Sequence, residues 1–550
     1  MGCGVWVVRG AYSSIVSDCW PRTFEPNPYL LGGELMNAVI LAAGTGSRLR
    51  PLTIDQPKAC VTVDGVPILE HQIRAYDAAG FESISVVTGY MPAKIRELCD
   101  RLSEELPVDI GLIHNEAFAN TDNMYSLYCA REEIAGEPFV LSNGDVVFEP
   151  EVVDRLAELD DHSAVAVDAD QYDPEAMKIT VDEQGAVDGI SKEFDAEAAA
   201  ATSIDLYRFS AATSAKLFDR IVRRIEIDQE YTAWTELALD ELVGTASHDV
   251  RPVDISGANW VEIDDQADLL AADHTFSSLG GLHSKEAVFF DLDGTIYLDE
   301  TPVDGAVELV EELRAAGVDV YFLSNNSSRW KPTYADRLSS LGIAADPDDV
   351  ILSTDGVIDY LQTNEVESSY VVGTEAMRGA VAEAGIEPQA SDPETVVVGF
   401  DSELTYEKVA AATLAIRGGA EFVLAHGDTV CPTEAGLIPD CGSIGALVET
   451  ASGRSPTQIF GKPNERMIDH VIEREGYAPS EVVIVGDRLS TDIELADRLG
   501  CGSVSVLSGE TTRRDIETAD QTPSLVVASV DDLSGDETVG TPSMTDPGEI

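Results

Sequence analysis

Two stretches of this sequence gather the residue types that handle phosphate. The first runs Leu41-Ala42-Ala43-Gly44-Thr45-Gly46-Ser47-Arg48-Leu49-Arg50-Pro51-Leu52-Thr53 and is followed by Pro57-Lys58. Its glycines leave backbone amides bare, so a polyphosphate can approach them closely. Arg48 and Lys58 put positive charge where phosphoanion charge builds up. In-line attack on an α-phosphorus needs mostly positioning and charge neutralisation, which this set supplies. A P-loop would need Gly-x-x-x-x-Gly-Lys-Ser/Thr, which is absent, and a dinucleotide fingerprint would need Gly where Leu49 stands. A plain strand-to-helix turn leaves both cations and both prolines unexplained.

The second stretch is Phe289-Phe290-Asp291-Leu292-Asp293-Gly294-Thr295. Two carboxylates at i and i+2 suit covalent phosphoryl transfer: one attacks phosphorus and the other protonates the leaving oxygen. A calcium loop would need oxygen ligands at alternate positions and a terminal Glu. Thr295, Tyr297 and Leu298 fit that pattern poorly. Three later segments extend the set: Phe322-Leu323-Ser324-Asn325-Asn326, Gly461-Lys462-Pro463, and Val482–Val485 ending in Gly486-Asp487, with Thr491-Asp492 beyond.

The elements that must position these groups are legible as α/β grammar. Asn37–Ala43 is a short apolar run, as in a strand buried on both faces. Residues 68–79 read as a helix, Ser83–Thr88 as a strand, Ala93–Leu102 as a helix and Pro138–Ser142 as a strand. The last strand leads to Gly144-Asp145, at the kind of strand end where open sheets place functional groups. A carboxylate there can hold Mg2+, although a turn or helix cap would also use it. In Trp260-Val261-Glu262-Ile263-Asp264, Glu262 and Asp264 share one face of a strand and offer a second metal ligand. A second α/β unit begins at Ala287-Val288-Phe289-Phe290.

The expected organisation has six parts. Residues 1–35 form an extension without periodicity, with Met36 as the native start. Residues 36–275 form the first domain and 276–285 a Gly/Ser linker. Residues 286–533 form the second domain, with an inserted α/β cap at about 353–455 filling the long gap from Ser324 to Lys462. Residues 534–550 form an acidic disordered tail. The fold class is α/β, with two doubly wound domains.

Composition narrows the setting. The 550 residues carry 100 acidic against 35 basic side chains, a net charge of −65. Such a charge repels nucleic acid and anionic membranes. Apolar periodicity and 44% hydrophobic content argue against an acidic disordered chain. A halophilic, cytoplasmic protein is the expectation, because at molar salt the screening length is only about 3 Å. Eight cysteines without metal-ligand spacing fit a reducing compartment. The opening Met1-Gly2-Cys3 lacks the Ser or Thr that a myristoylation signal wants, since Trp6 stands there. No nucleic acid or membrane partner is expected. Lysine occurs only nine times, so Lys58 and Lys462 inside motifs stand out.

The first stretch resembles the signature of the sugar-phosphate and phosphoalcohol nucleotidyltransferases, over about residues 37–272. The resemblance implies an Mg2+-dependent reaction of an NTP with a phosphomonoester, releasing pyrophosphate. By position it implies that Ala42, Ala43, Gly44 and Gly46 line the nucleotide. Arg48 would stabilise the leaving pyrophosphate, and Lys58 would meet the attacking phosphate or the α-phosphate. Asp145 and, in preference to Glu262, Asp264 would hold the metal. Asp122-Asn123-Met124-Tyr125-Ser126-Leu127-Tyr128 resembles the phosphocholine cytidylyltransferase branch. That implies CTP, with Asn123 and Ser126 facing the nucleoside. Lys178 is the candidate for the acceptor phosphate. Choline, inositol, glycerol and aminoalkyl phosphates are all open as acceptors, and a sugar-1-phosphate transferase using dTTP or UTP is the alternative.

The four ordered segments of the second half resemble the haloacid dehalogenase superfamily, over about residues 286–533. By position, the resemblance makes Asp291 the nucleophile and Asp293 the general acid/base. Ser324 and Lys462 would hold the phosphoryl group, with Asn325 beside the substrate. Mg2+ would lie on Asp487, Asp291 and the backbone of Asp293. Pro432–Pro439 resembles the capped group containing 4-nitrophenylphosphatase and phosphoglycolate phosphatase. Ser490 stands where relatives often have Asp, and Ala425-His426-Gly427-Asp428 replaces the usual Thr-Asn-x-Asp. Both departures bear on substrate choice. The alternative for this half is a binding module without turnover.

Overall fold

The strand Asn37–Ala42 is buried almost from end to end. Ala38, Ile40 and Ala42 enter one apolar core and Val39 and Leu41 another, so both faces of the sheet are covered. This is why the run is continuously apolar rather than alternating. The computed structural model describes residues 37–158, 162–172, 174, 176–244, 250–431 and 436–534. The expectations for residues 1–35, the start at Met36, most of the tail and Pro432–Ala435 lie outside the described residues.

The chain divides into two α/β units, Met1–Ser278 and Leu279–Ile550. In the first, Phe139–Asn143, Asn37–Ala42, Ser83–Thr88 and Asp109–His114 run parallel side by side. The nine-stranded sheet is mixed rather than wholly parallel, because Ala201–Phe209 pairs antiparallel with Phe139–Asn143. Asn37–Ala42 lies between neighbours reached in opposite directions, and such a switch point opens a crevice at the strands' carboxyl ends.

The second unit has a six-stranded parallel sheet centred on Ala287–Asp291, flanked by Asp319–Ser324 and Val482–Gly486. Val288 and Phe290 face one core, Ala287 and Phe289 the other. A separate four-stranded parallel sheet, from Ser369–Val372 to Gln458–Ile459, occupies the stretch expected as the cap and runs just past its expected end at about 455. Residues 276–285 are not a free tether. Leu279 and Leu282 are buried in the core that takes Val288 and Phe290, because their apolar side chains gain more from burial than the Gly and Ser around them suggest. Among the described residues, no helix is long and apolar enough to cross a membrane.

Candidate active sites

In the first unit the loop after Asn37–Ala42 turns at Gly46, which takes a left-handed φ of 57°. A Cβ there would stand 2.8 Å from Lys58 Cβ, so only glycine lets the lysine lie against the loop. Lys58 Nζ bonds Asp145 Oδ2 at 2.9 Å and Asp264 Oδ1 at 3.0 Å. Arg48 reaches the other oxygen of Asp264 at 2.8 Å. Burial would lower the Lys58 ammonium, but the two aspartates more than offset it and raise its pKa. Burial would raise the Asp264 carboxyl, but Lys58 and Arg48 hold it below the usual range.

Arg48, Asp145 and Asp264, though not Lys58, border a cavity of about 290 Å³. Ala43, Gly44, Asn123 and Ser126 line it together with Arg48, Asp145 and Asp264. Asp122 caps the helix Asn123–Cys129 and so aims its first turn at the cavity. Ala42 and Gly46 do not line it: Ala42 is packed in the core beneath, and Gly46 shapes the loop behind Lys58. Glu262 does line it. The strand ends at Glu262, yet Asp145, Glu262 and Asp264 each offer an oxygen within 4.8 Å of the others. Burial, then Asp145, Asp205 and Asp264, push the Glu262 carboxyl up to about 8. Asp145 Oδ1 is buried with no hydrogen-bond partner, an orphan that a bound cation would satisfy.

Lys178 is not in this cavity. It is fully buried, and its Nζ donates to the Pro174 carbonyl at 2.8 Å. Lys192 lines the cavity instead, with its ammonium 5.5 Å from the centre of the Trp234 ring. Asp205, raised to about 8 by burial and then by Glu236, shares that wall.

In the second unit Asp291 closes the central strand and is buried. Lys462 Nζ sits between Asp291 Oδ1 and Asp492 Oδ1, the latter at 2.5 Å. Asp291, Asp487 and Asp492 form a buried carboxylate cluster. Asp492, given no role from sequence, is brought there by the helical turn Leu489–Ile493. That turn folds so tightly that a Cβ on Gly486 would stand 2.3 Å from Asp492 Cγ. A carboxylate five positions after Asp487 was the available signal.

Gly294 and Gly509 clear room for Asp487, since a Cβ on either would clash with its Oδ2. Asp487 Oδ2 accepts from the Glu510 amide at 2.7 Å, while its buried Oδ1 has no partner. Burial raises the Asp291 carboxyl to about 8, with Lys462 opposing and Asp492 and Asp487 adding to the rise. Burial would lower the Lys462 ammonium, but Asp291 and Asp492 raise it well above its ordinary value.

Asp293 is exposed at the mouth and is not one of the three converging carboxylates. The surrounding protein still shields it enough to raise its pKa, against Arg337 and Lys462. Ser324 is buried at the end of the neighbouring strand, one residue beyond the Asp291–Leu323 pair. The Asn325 side chain is occupied by protein. Its Nδ2 donates to Asp428 and to the Lys462 carbonyl, each at 3.1 Å, and its Oδ1 accepts from the Lys462 amide at 2.7 Å. These bonds hold the backbone of Lys462. Ser490 is exposed, outside the cluster.

Residues 38–182 match the MobA-like NTP transferase domain family. Residues 288–387 match the haloacid dehalogenase-like hydrolase family, and residues 459–533 a second HAD-hydrolase-like family. Acid sugar phosphatase of Staphylococcus aureus (strain USA300) is 33% identical over 240 residues, 43% of this chain and 92% of that protein. The chain belongs to the haloacid dehalogenase-like hydrolases, fused to an NTP transferase domain. Among solved structures, the 4-nitrophenylphosphatase of Thermotoga maritima shares 34% identity over 46% of this chain and 97% of its own, with a TM-score of 0.45. The glycerol phosphate phosphatase of Mycobacterium tuberculosis, in complex with magnesium, shares 32% over 46% and 78%, with a TM-score of 0.44. This fusion is an enzyme with nucleotidyltransferase and phosphatase activities.

Proposed function

We propose that the first site transfers a cytidylyl group from CTP to a small phosphorylated alcohol and releases pyrophosphate. The second site hydrolyses a different small phosphomonoester through an aspartyl-phosphate. The observation that carries both halves is the same in each unit. A buried or half-buried lysine is clamped between two carboxylates, next to a carboxylate oxygen that no protein donor satisfies.

The orphaned oxygens of Asp145 and Asp487 fit a divalent cation, and we assign Mg2+. Asp145, Glu262 and Asp264 would hold it in the first site, and Asp291, Asp487 and Asp492 in the second, where the Asp293 main chain could add a ligand. Bound there, it supplies charge neutralisation to phosphoryl oxygens. Families of both kinds generally use such an ion.

In the first site the backbone of Ala43 and Gly44 receives the polyphosphate. Lys58 draws the acceptor phosphate toward the α-phosphorus. Arg48, whose side chain is mostly exposed, can leave Asp264 for the departing pyrophosphate. Asn123 and Ser126 line the same cavity, which supports the cytidine assignment. Lys192 and Trp234 form the end of the cavity suited to the acceptor.

In the second site an Asp291 oxygen bonds to phosphorus as the ester oxygen leaves. Asp293, with its raised pKa, hands that oxygen a proton. Asp293 then takes a proton from water, whose oxygen attacks phosphorus and frees Asp291 and phosphate. Ser324 and Lys462 hold the phosphoryl oxygens.

The test is a matrix of four NTPs against phosphoalcohols and sugar phosphates, run in molar KCl with pyrophosphate detection. CTP with a phosphoalcohol is the expected best pair. A clear preference for dTTP or UTP with a hexose-1-phosphate overturns this reading.

A further inference from the structure

The cap of the second unit holds another buried group of potential ligands, apart from Asp291, Asp487 and Asp492. His426, two residues after the strand Glu421–Leu424, is 0% exposed. Asp428 follows it closely, and Asp440 caps the helix Cys441–Ser452, accepting from the Cys441 amide at 2.6 Å. One ligand atom from each of the three lies within 4.8 Å of the others.

His426 Nδ1 faces Asp428 Oδ2 at 3.3 Å, and Nε2 faces Asp440 Oδ1 at 3.5 Å. Neither ring nitrogen makes an aligned hydrogen bond, although both are buried. Buried polar atoms are nearly always paired, so an unpaired buried ring nitrogen points to an absent partner. One ring nitrogen and one oxygen from each carboxylate lie within 4.8 Å of one another, close enough for a single ion to draw together through that nitrogen. One buried and one half-buried carboxylate beside a single imidazole also leave a negative charge that a cation neutralises.

We propose that His426, Asp428 and Asp440 bind one divalent transition-metal ion of the zinc type. A mixed imidazole and carboxylate set favours zinc over magnesium, which takes oxygen ligands. The frame is stiff. A Cβ on Gly442 would stand 2.3 Å from the Gly427 carbonyl oxygen, so the helix start presses directly on the loop carrying Asp428. Asp428 also receives Asn325 Nδ2 at 3.1 Å, and Asn325 brackets the backbone of Lys462. The ion therefore ties the cap to the loop that carries the phosphatase lysine.

Full-length protein is loaded with zinc, exchanged into zinc-free buffer with millimolar Mg2+ to occupy the oxygen-only sites, and analysed for metal content and X-ray absorption. About one retained zinc per chain is expected, with one imidazole and otherwise oxygen ligands. His426→Asn and Asp440→Asn should each lose it while circular dichroism stays unchanged. Three results overturn the proposal: no zinc retained by the wild type, a shell containing sulfur or oxygen alone, or equal retention by the folded variants. Each would leave His426 bridging the two carboxylates through its own ring nitrogens. If a variant does not fold, the wild-type absorption shell decides alone.

Discussion

Both sites hold a lysine between two carboxylates, yet they differ in how far the trio is sunk. The Lys58 side chain keeps 12% of its exposure and its partners Asp145 and Asp264 keep 27% and 30%. Lys462 keeps 4%, with Asp291 at 12% and Asp492 at 0%. Asp145 and Asp264 of the open trio border a cavity that, on the proposed mechanism, admits two substrates and releases two products. On the proposed mechanism, the closed trio serves a reaction in which one carboxylate itself becomes the phosphoryl acceptor. On that mechanism the same pairing serves electrostatic positioning in one unit and covalent chemistry in the other.

The sharpest way to break this comparison is to remove one carboxylate from each trio. Asp291→Asn should abolish phosphate release, by about a thousandfold or more, because an amide cannot form the acyl-phosphate. Pyrophosphate release should persist. Asp145→Asn should do the reverse. Separate assays of both products on each purified variant check this. A folded variant that loses both reactions would show that the sites are coupled.

Next in size is the stability carried by each lysine. Lys462→Met leaves Asp291 and Asp492 buried and uncompensated, which should cost about 3–5 kcal/mol. Lys58→Met should cost clearly less, since water reaches Asp145 and Asp264. Urea denaturation of the two variants measures the gap. Equal losses would mean that burial does not separate the sites.

A third prediction concerns a carboxyl set against another carboxyl instead of a lysine. Asp64 is pushed up to about 7, by burial first and then by Asp273, whose Oδ1 accepts the Asp64 amide at 2.8 Å. Its folded pKa exceeds the unfolded value of about 3.9. The stabilising contribution is therefore complete below about pH 4 and is lost as pH rises through 7. Asp64→Asn should flatten stability between pH 5 and 8 and raise it at pH 8 by on the order of 1 kcal/mol, after discounting for partial exposure. Melting curves across that range give the answer, and an unchanged slope would refute it.

Much of the frame was legible because buried parallel strands are apolar without interruption. Asn37–Ala42 and Ala287–Asp291 announce themselves this way, and motif residues at their ends follow from topology. What sequence did not give was side-chain direction after the strands end. Asp492 returns to Asp487 only because a tight helical turn folds it back. Glu262 joins Asp145 and Asp264 although the strand stops before Asp264. The Gly/Ser composition of 276–285 concealed two leucines that anchor a core.

The choice between Lys178 and Lys192 shows the same limit and leads to the smallest predicted effect. Lys178 pairs with Ser191 across two antiparallel strands, and Lys192 is the next residue. Lys192 lies in the turn just past the strand's last residue, Ser191, so the strand pattern that sets Lys178 does not extend to it. Lys178 turns inward to the Pro174 carbonyl, and Lys192 lies over Trp234 at the cavity wall. Lys192→Ala should therefore raise the acceptor KM about tenfold and leave kcat nearly unchanged, the pattern of lost uniform binding. The KM for the nucleotide should stay constant. Lys178→Met should leave both KM values alone and instead lower resistance to urea, since its ammonium is a buried donor to the Pro174 carbonyl. Steady-state kinetics on the two variants, with urea curves beside them, separate the roles. A raised acceptor KM in the Lys178 variant alone would return the acceptor phosphate to that residue.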